Sequence, residues 1–133
     1  MKSWSEKMHG AKAPHTKRLE KSGAGMSAGA LMLISTPIEI DSFINQIPYG
    51  QTISVAQMRD ALAKQHKADC TCPLTTGIFL RIVAEAAFEK LNTTPNEKIT
   101  PFWRVIDANS STAKKLSFDN NFIQQKRSAE GID

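Results

Sequence analysis

The feature that most narrows the fold is a pair of helical segments with contrasting entrances. Ser54, with Gln57 three residues on, forms a capping box that opens a helix from Val55 to about Gln65, with Val55, Met58 and Leu62 turned inward. After a short connector Pro73 opens a longer helix, which ends near Leu91 before Asn92-Thr93-Thr94-Pro95. At about 100° per residue this second helix is apolar around most of its circumference, with one polar stripe through Arg81, Glu85 and Glu89. Followed back toward the helix start, the stripe reaches Ile78, Leu74 and Thr71, so the exposed face is apolar at its leading end. Two helices joined by a tight connector, the second entered through Thr and Pro, predict a helix-turn-helix.

The flanking segments complete a winged version of that motif. Thr36-Pro37-Ile38-Glu39 reads as a capped helix start, with Asp41 as the competing start, and Phe43, Ile44 and Ile47 form its buried stripe until Pro48-Tyr49-Gly50 ends it. Trp103-Arg104-Val105-Ile106 reads as a strand, Asn109-Ser110-Ser111-Thr112 as a turn-rich loop, and Leu116-Ser117-Phe118 as the strand that pairs back to close a small wing. Asn121, followed by Gln124, caps a last helix that ends at Gly131. Residues 31–133 are therefore expected to be mainly α with a small β wing, a winged helix-turn-helix. Residues 1–30 mix Lys, Ser, Gly and Ala with little periodicity, and Ser22 to Gly29 has linker composition, so a flexible basic arm is expected there. Trp4 and Met8 are spaced for one helical turn that could dock on the body, the alternative to a solvated tail.

Bulk properties exclude more than they select. At 133 residues and 14.7 kDa the chain is one domain with a tail, large enough to bury a core. No apolar run approaches bilayer length, and Ala30 to Ile34 is too short for a signal peptide, so no membrane contact and a cytoplasmic location are expected. Cys70 and Cys72 are separated by one residue, a spacing that suits neither a relaxed disulfide nor a zinc knuckle, and even with His66 and Asp69 nearby they read as reduced thiols near a helix start. No cofactor or metal is expected. The net charge of +4 resides entirely in residues 1–25, which hold six Lys and Arg against two Glu, while the remainder holds eleven basic and eleven acidic residues. A nucleic-acid surface on the body must then be a local patch.

Several segments occur in an order that carries a family resemblance. Ile47-Pro48-Tyr49-Gly50-Gln51-Thr52-Ile53-Ser54, Cys72-Pro73-Leu74-Thr75-Thr76-Gly77, Thr100-Pro101-Phe102-Trp103-Arg104-Val105 and Ala129-Glu130-Gly131-Ile132 follow one another over roughly Leu31 to Ile132. This order resembles the DNA-binding domain of the O6-alkylguanine-DNA alkyltransferases, with its "PYG.V.SY..IA" entry, its "ARAVG" recognition-helix start, its Pro-Cys-His-Arg-Val active-site segment and its closing "AEG". Phe102 stands where that family has the alkyl-accepting cysteine, and Trp103 where it has the activating histidine. Alkyl transfer needs a thiolate and a base, so the resemblance is nearest to the non-catalytic alkyltransferase-like proteins.

The resemblance implies a non-enzymatic DNA-binding protein, linked to DNA repair, with duplex DNA, plain or alkylated, as partner. Leu74 matches the arginine that fills the gap left by a flipped base, and Arg81 a second arginine on the same helix, with an Arg81–Glu85 surface pair as the plainer alternative. Val55 stands where the family has a tyrosine that helps turn the phosphate. Thr71 and Thr75 are candidate phosphate donors, or helix-capping residues, and Lys114 and Lys115 in the expected wing are candidate phosphate contacts. Phe102, Trp103 and Arg104 are the candidate base pocket, or else core, and Glu130 resembles a buried glutamate that has lost its histidine partner. A protein-interaction module that uses the apolar Leu74 to Ile78 surface is the rival reading. A cysteine enzyme built on Cys70 or Cys72 with His66 lacks an evident orienting group.

Overall fold

The computed structural model describes residues 2–10 and 12–132; Met1, Ala11 and Asp133, at which the expected arm and body boundaries partly fall, lie outside the described residues. Ser3 opens α1 (Trp4–His9) through a reciprocal capping box with Glu6, and Met8 on its inner face is buried in the main core. β1 (His15–Arg18) runs antiparallel to β2 (Leu31–Ile34), with His15 opposite Ile34 and Arg18 opposite Leu31. The expected flexible arm is thus a helix and a hairpin strand. Its signal was local: Ser3-Trp4-Ser5-Glu6 has the spacing of a capping box, and the linker-like Ser22 to Gly29 composition serves a hairpin connection with a Gly23–Met26 bridge.

α2 (Pro37–Asn45) starts at the first of the two candidate positions, where the Thr36 hydroxyl accepts the Glu39 amide at 3.1 Å. α3 (Val55–Gln65) carries the expected Ser54–Gln57 box, with Met58 and Leu62 fully buried and Val55 half-buried. The connector then forms a short β3 (Cys70–Thr71) parallel to β2, with Met32 opposite Cys70 and Leu33 opposite Thr71. The sheet order is β1-β2-β3, and β3 leads directly into α4 (Pro73–Thr93). α4 is the helix the others surround: α1, α2, a 3-10 turn at Phe102–Arg104 and α5 (Ser111–Lys115) all pack on it. The chain closes with α6 (Asn121–Ala129), so the protein is mainly helical with one small three-stranded sheet. None of the described helices is long and apolar enough to cross a membrane.

The strands expected at Trp103–Ile106 and Leu116–Phe118 do not form, so no wing follows α4. Every residue from Pro101 to Ile106 is buried, which leaves no outward face for a strand's alternation, and the chain there tightens into the 3-10 turn. The turn-rich loop becomes α5, because the Ser110 hydroxyl accepts the Ala113 amide at 3.2 Å. Asn121 is the first residue of α6 rather than its cap, with its amide held by Asp119 Oδ1 at 2.8 Å.

The polar stripe of α4 is also covered. The Glu85 carboxylate is buried and accepts the Ser117 amide at 2.9 Å and the Ser117 hydroxyl, while Glu89 accepts the Trp4 and Ser5 amides at 3.2 Å each. Glu89 therefore satisfies the otherwise unpaired amides at the start of α1 and binds that helix to α4. Both acids look like a solvated stripe in the sequence, and both are instead used as acceptors for segments distant along the chain.

Candidate nucleic-acid interface

Two regions gather the residues singled out by sequence. The first is a cleft of about 420 Å³ between α1, the leading half of α4 and α5, lined by Trp4, Lys7, Pro73, Leu74, Gly77, Ile78, Arg81, Ile82, Ser111, Thr112 and Lys115. Leu74 is 73% exposed and Ile78, one turn on, is 50% exposed, so the apolar leading face of α4 is open to solvent as expected. Around it stand Lys7, Arg81 and Lys115, and no acidic residue lines the cleft. The Lys7 ammonium lies 4.1 Å from the centroid of the Trp4 ring and the Arg81 guanidinium 5.3 Å from it, so the indole holds both cations at the rim. The Arg81 Nε is buried without a hydrogen-bond partner, and its nearest carboxylate oxygen, on Glu85, is 3.9 Å away.

This arrangement joins two candidates of α4, Leu74 and Arg81, with Lys115 of α5, and adds Trp4 and Lys7 from the segment expected to be an arm. Three candidates fall elsewhere. Thr71 is buried, and its hydroxyl donates to the Arg59 carbonyl at 2.8 Å while Arg59 Nε donates to the Thr71 carbonyl at 3.2 Å, so it joins β3 to α3 and cannot reach a phosphate. The Thr75 hydroxyl is buried and unpartnered. Thr76 is the residue of that run whose hydroxyl donates back to Cys72 O, at 2.6 Å. Lys114 is exposed on α5 but does not line the cleft.

The second region is the segment that matches the alkyltransferase active site, and it is filled. Phe102 is fully buried and Trp103 only 6% exposed. The Phe102 ring stacks on Phe122 at 5.8 Å and meets Phe118 and Trp103 edge-on at 5.7 and 5.4 Å, and the Lys126 ammonium covers the Trp103 ring at 5.4 Å. The expectation of a base pocket at Phe102, Trp103 and Arg104 is therefore corrected: the two rings are core, as their adjacency allowed, and Arg104 is a structural residue. A cleft of about 360 Å³ beside Val55, Val105 and Arg127 is lined by Arg104 but by neither ring.

Glu130 still finds a donor at residue 103, where the indole of Trp103 stands in place of an imidazole. Its carboxylate accepts the Trp103 indole N–H at 2.7 Å, Arg104 Nε at 2.8 Å, Arg104 Nη2 at 2.9 Å and the Gly50 amide at 2.8 Å. Gly50 has φ +80°, a conformation that glycine adopts without strain and that brings its N–H to the carboxylate. Arg104 completes the cluster by donating to the Ile47 carbonyl at 2.8 Å. Burial pushes the Glu130 carboxyl up, but the hydrogen bonds from Arg104, Gly50 and Trp103, with the Arg104 charge, outweigh it and hold the pKa at about 2. The cluster ties the end of α6 to the turn after α2 and to the 3-10 turn; it is an anchor rather than a reaction centre.

The remaining reactive groups do not assemble. His66 Nε2 lies 2.5 Å from Glu39, which also accepts the Ser35 hydroxyl, so an orienting carboxylate does exist for that histidine. Neither thiol is joined to it: the Cys70 thiol points to the Leu31 carbonyl at 3.9 Å, and burial raises its pKa, which disfavours the thiolate. Among the described residues no group of three or more His, Cys, Asp or Glu is placed to hold a metal ion. Compared with models of protein families, with curated proteins and with solved structures, the chain finds no match, and the alkyltransferase resemblance stands on its residue pattern alone.

Proposed function

We propose that this is a non-enzymatic DNA-binding protein of the alkyltransferase-like kind, in which α3 and α4 act as a helix-turn-helix and the cleft at the start of α4 meets the duplex. The observation that carries this reading is the ring of Lys7, Arg81 and Lys115 around Leu74 and Ile78 with no lining carboxylate. Three cations at one rim supply phosphate contacts, which set most of the affinity and its salt dependence. The β1–β2 hairpin takes the place of the wing that does not form after α4. Lys17 and Arg18 are exposed on β1, and Lys21 is exposed in the hairpin connection, which gives a second source of phosphate contacts. With Phe102 at the acceptor position and burial raising the pKa of the Cys70 thiol, alkyl transfer is not part of this function. A link to DNA repair follows from the resemblance alone.

Fluorescence anisotropy with a plain duplex over a salt series tests the reading. A log–log slope that falls by about 0.9 for each of Arg81→Gln and Lys115→Gln supports it. Binding that ignores salt would favour a protein partner instead, a reading to which the exposed Leu74 and Ile78 lend themselves.

A further inference from the structure

The same cleft combines features that plain phosphate binding does not need. Leu74 and Ile78 lie one turn apart on α4, and helical side chains lean toward the helix start, so the Leu74 side chain stands foremost with Ile78 behind it. The cations stand beside this apolar tip: Arg81 is two turns behind Leu74 on the same helix, Lys7 comes from α1 and Lys115 from α5. Of the two acids on this side of α4, Glu89 is occupied by the start of α1, and Glu85 accepts from Ser117 and also lies 3.9 Å from Arg81 Nε, so Arg81 is partly balanced while Lys7 and Lys115 are not met by a lining acid. An apolar point flanked by cations complements a surface that is apolar at its centre and anionic at its edges. A stacked base step between two phosphate backbones is such a surface once it is opened.

At the segment that resembles the alkyltransferase active site, neither Phe102 nor Trp103 offers an open ring face on which an extruded base could stack. Phe102, Trp103, Phe118 and Phe122 pack against one another, and Lys126 closes the Trp103 face. Reading at the tip of α4 then acts on the base step itself, without a base stacked on either ring. Inserting Leu74 into a well-stacked step requires that step to be unstacked, whereas a bulge or mismatch is already partly open.

Resting on the DNA-binding reading above, we infer that the preferred ligand is a duplex carrying an unpaired or weakly stacked step, recognised by insertion of Leu74 backed by Ile78, with Lys7, Arg81 and Lys115 on the flanking phosphates. Base chemistry at the step, including alkylation, is secondary to its ease of opening.

The test uses the full chain and three duplexes of one sequence: fully paired, carrying a single-nucleotide bulge, and carrying one O6-methylguanine, with 2-aminopurine beside the variable position. The bulged duplex is expected to bind about tenfold or more tightly than the paired one, with 2-aminopurine brightening as the step opens. Leu74→Ala should bring that ratio near unity and abolish the brightening. Leu74→Met should keep the preference, and Arg81→Gln should weaken both duplexes alike. Equal binding of paired and bulged duplexes, or a preference that survives in Leu74→Ala, overturns the inference and leaves DNA binding standing. A methylguanine duplex bound more tightly than the bulge overturns it in favour of base recognition. Failure of every duplex to bind in a salt-dependent way removes the DNA-binding reading itself, and this inference with it.

Discussion

Replacing Glu130 with Gln should cost this protein about 3 kcal/mol at neutral pH, and that cost should vanish in acid. The carboxylate is 5% exposed and accepts from Trp103, from Arg104 twice and from the Gly50 amide, so little solvent screens it. A carboxyl held at about 2 in place of its ordinary 4.5 contributes about 1.4 kcal/mol for each pH unit of that difference, which gives about 3 kcal/mol. Leaving the buried Arg104 charge without its partner gives an independent figure of about 3 to 5 kcal/mol. Because the folded pKa is the lower one, this stability is fully present above about pH 4.5 and is lost as pH falls toward 2. Urea denaturation followed by circular dichroism at several pH values reads it directly. The wild-type midpoint should fall steeply between about pH 4.5 and 2 and the Glu130→Gln midpoint much less, so the two curves converge in acid. A variant within about 1 kcal/mol of wild type at pH 7, or a gap that does not narrow in acid, would refute the assignment of this cluster as the anchor of α6.

The other predictions probe α1, the hairpin and the missing chemistry. Glu89→Ala should cost about 1 kcal/mol, as loss of a helix cap does, and release α1, read as a change in Trp4 emission and faster proteolysis before Gly10; unchanged emission would mean α1 docks without that cap. Lys17→Gln, Arg18→Gln and Lys21→Gln together should flatten the DNA salt slope by up to about 0.9 per contact without unfolding the sheet, and an unchanged slope would exclude the hairpin from the interface. Incubation with an O6-methylguanine duplex should leave the intact mass unaltered, and a methyl on Cys70 or Cys72 would overturn the non-enzymatic reading. With Phe102 and Trp103 packed as core, that duplex should bind less than about tenfold more tightly than the plain one; a larger preference that disappears in a folded Trp103→Ala variant would reopen the base-pocket reading.

Local rules carried the sequence reading furthest. The starts of α2, α3 and α4 were legible because Thr36, Ser54 and Pro73 act through their own next few residues, and a cap needs no distant partner. The apolar leading face of α4 was legible from periodicity, since Leu74 and Ile78 continue the polar stripe toward the helix start, where it stays exposed. The same periodicity misread Glu85 and Glu89, because their partners, Ser117 and the start of α1, come from far along the chain. Trp103 to Ile106 misled for a related reason: a run rich in strand formers was pulled into the core on every side.

By itself, then, the sequence determined where α2, α3 and α4 begin, that residues 102 and 103 are neither a thiol nor an imidazole, and that the excess positive charge belongs to the first residues of the chain. Only the tertiary structure decided where that charge goes and what it surrounds. It pairs β1 with β2 and folds α1 onto α4, and the second of these sets Lys7 beside Leu74, Arg81 and Lys115. The physical reason is that helix starts depend on interactions a few residues long, while a binding face is an agreement between elements that meet only when the core closes.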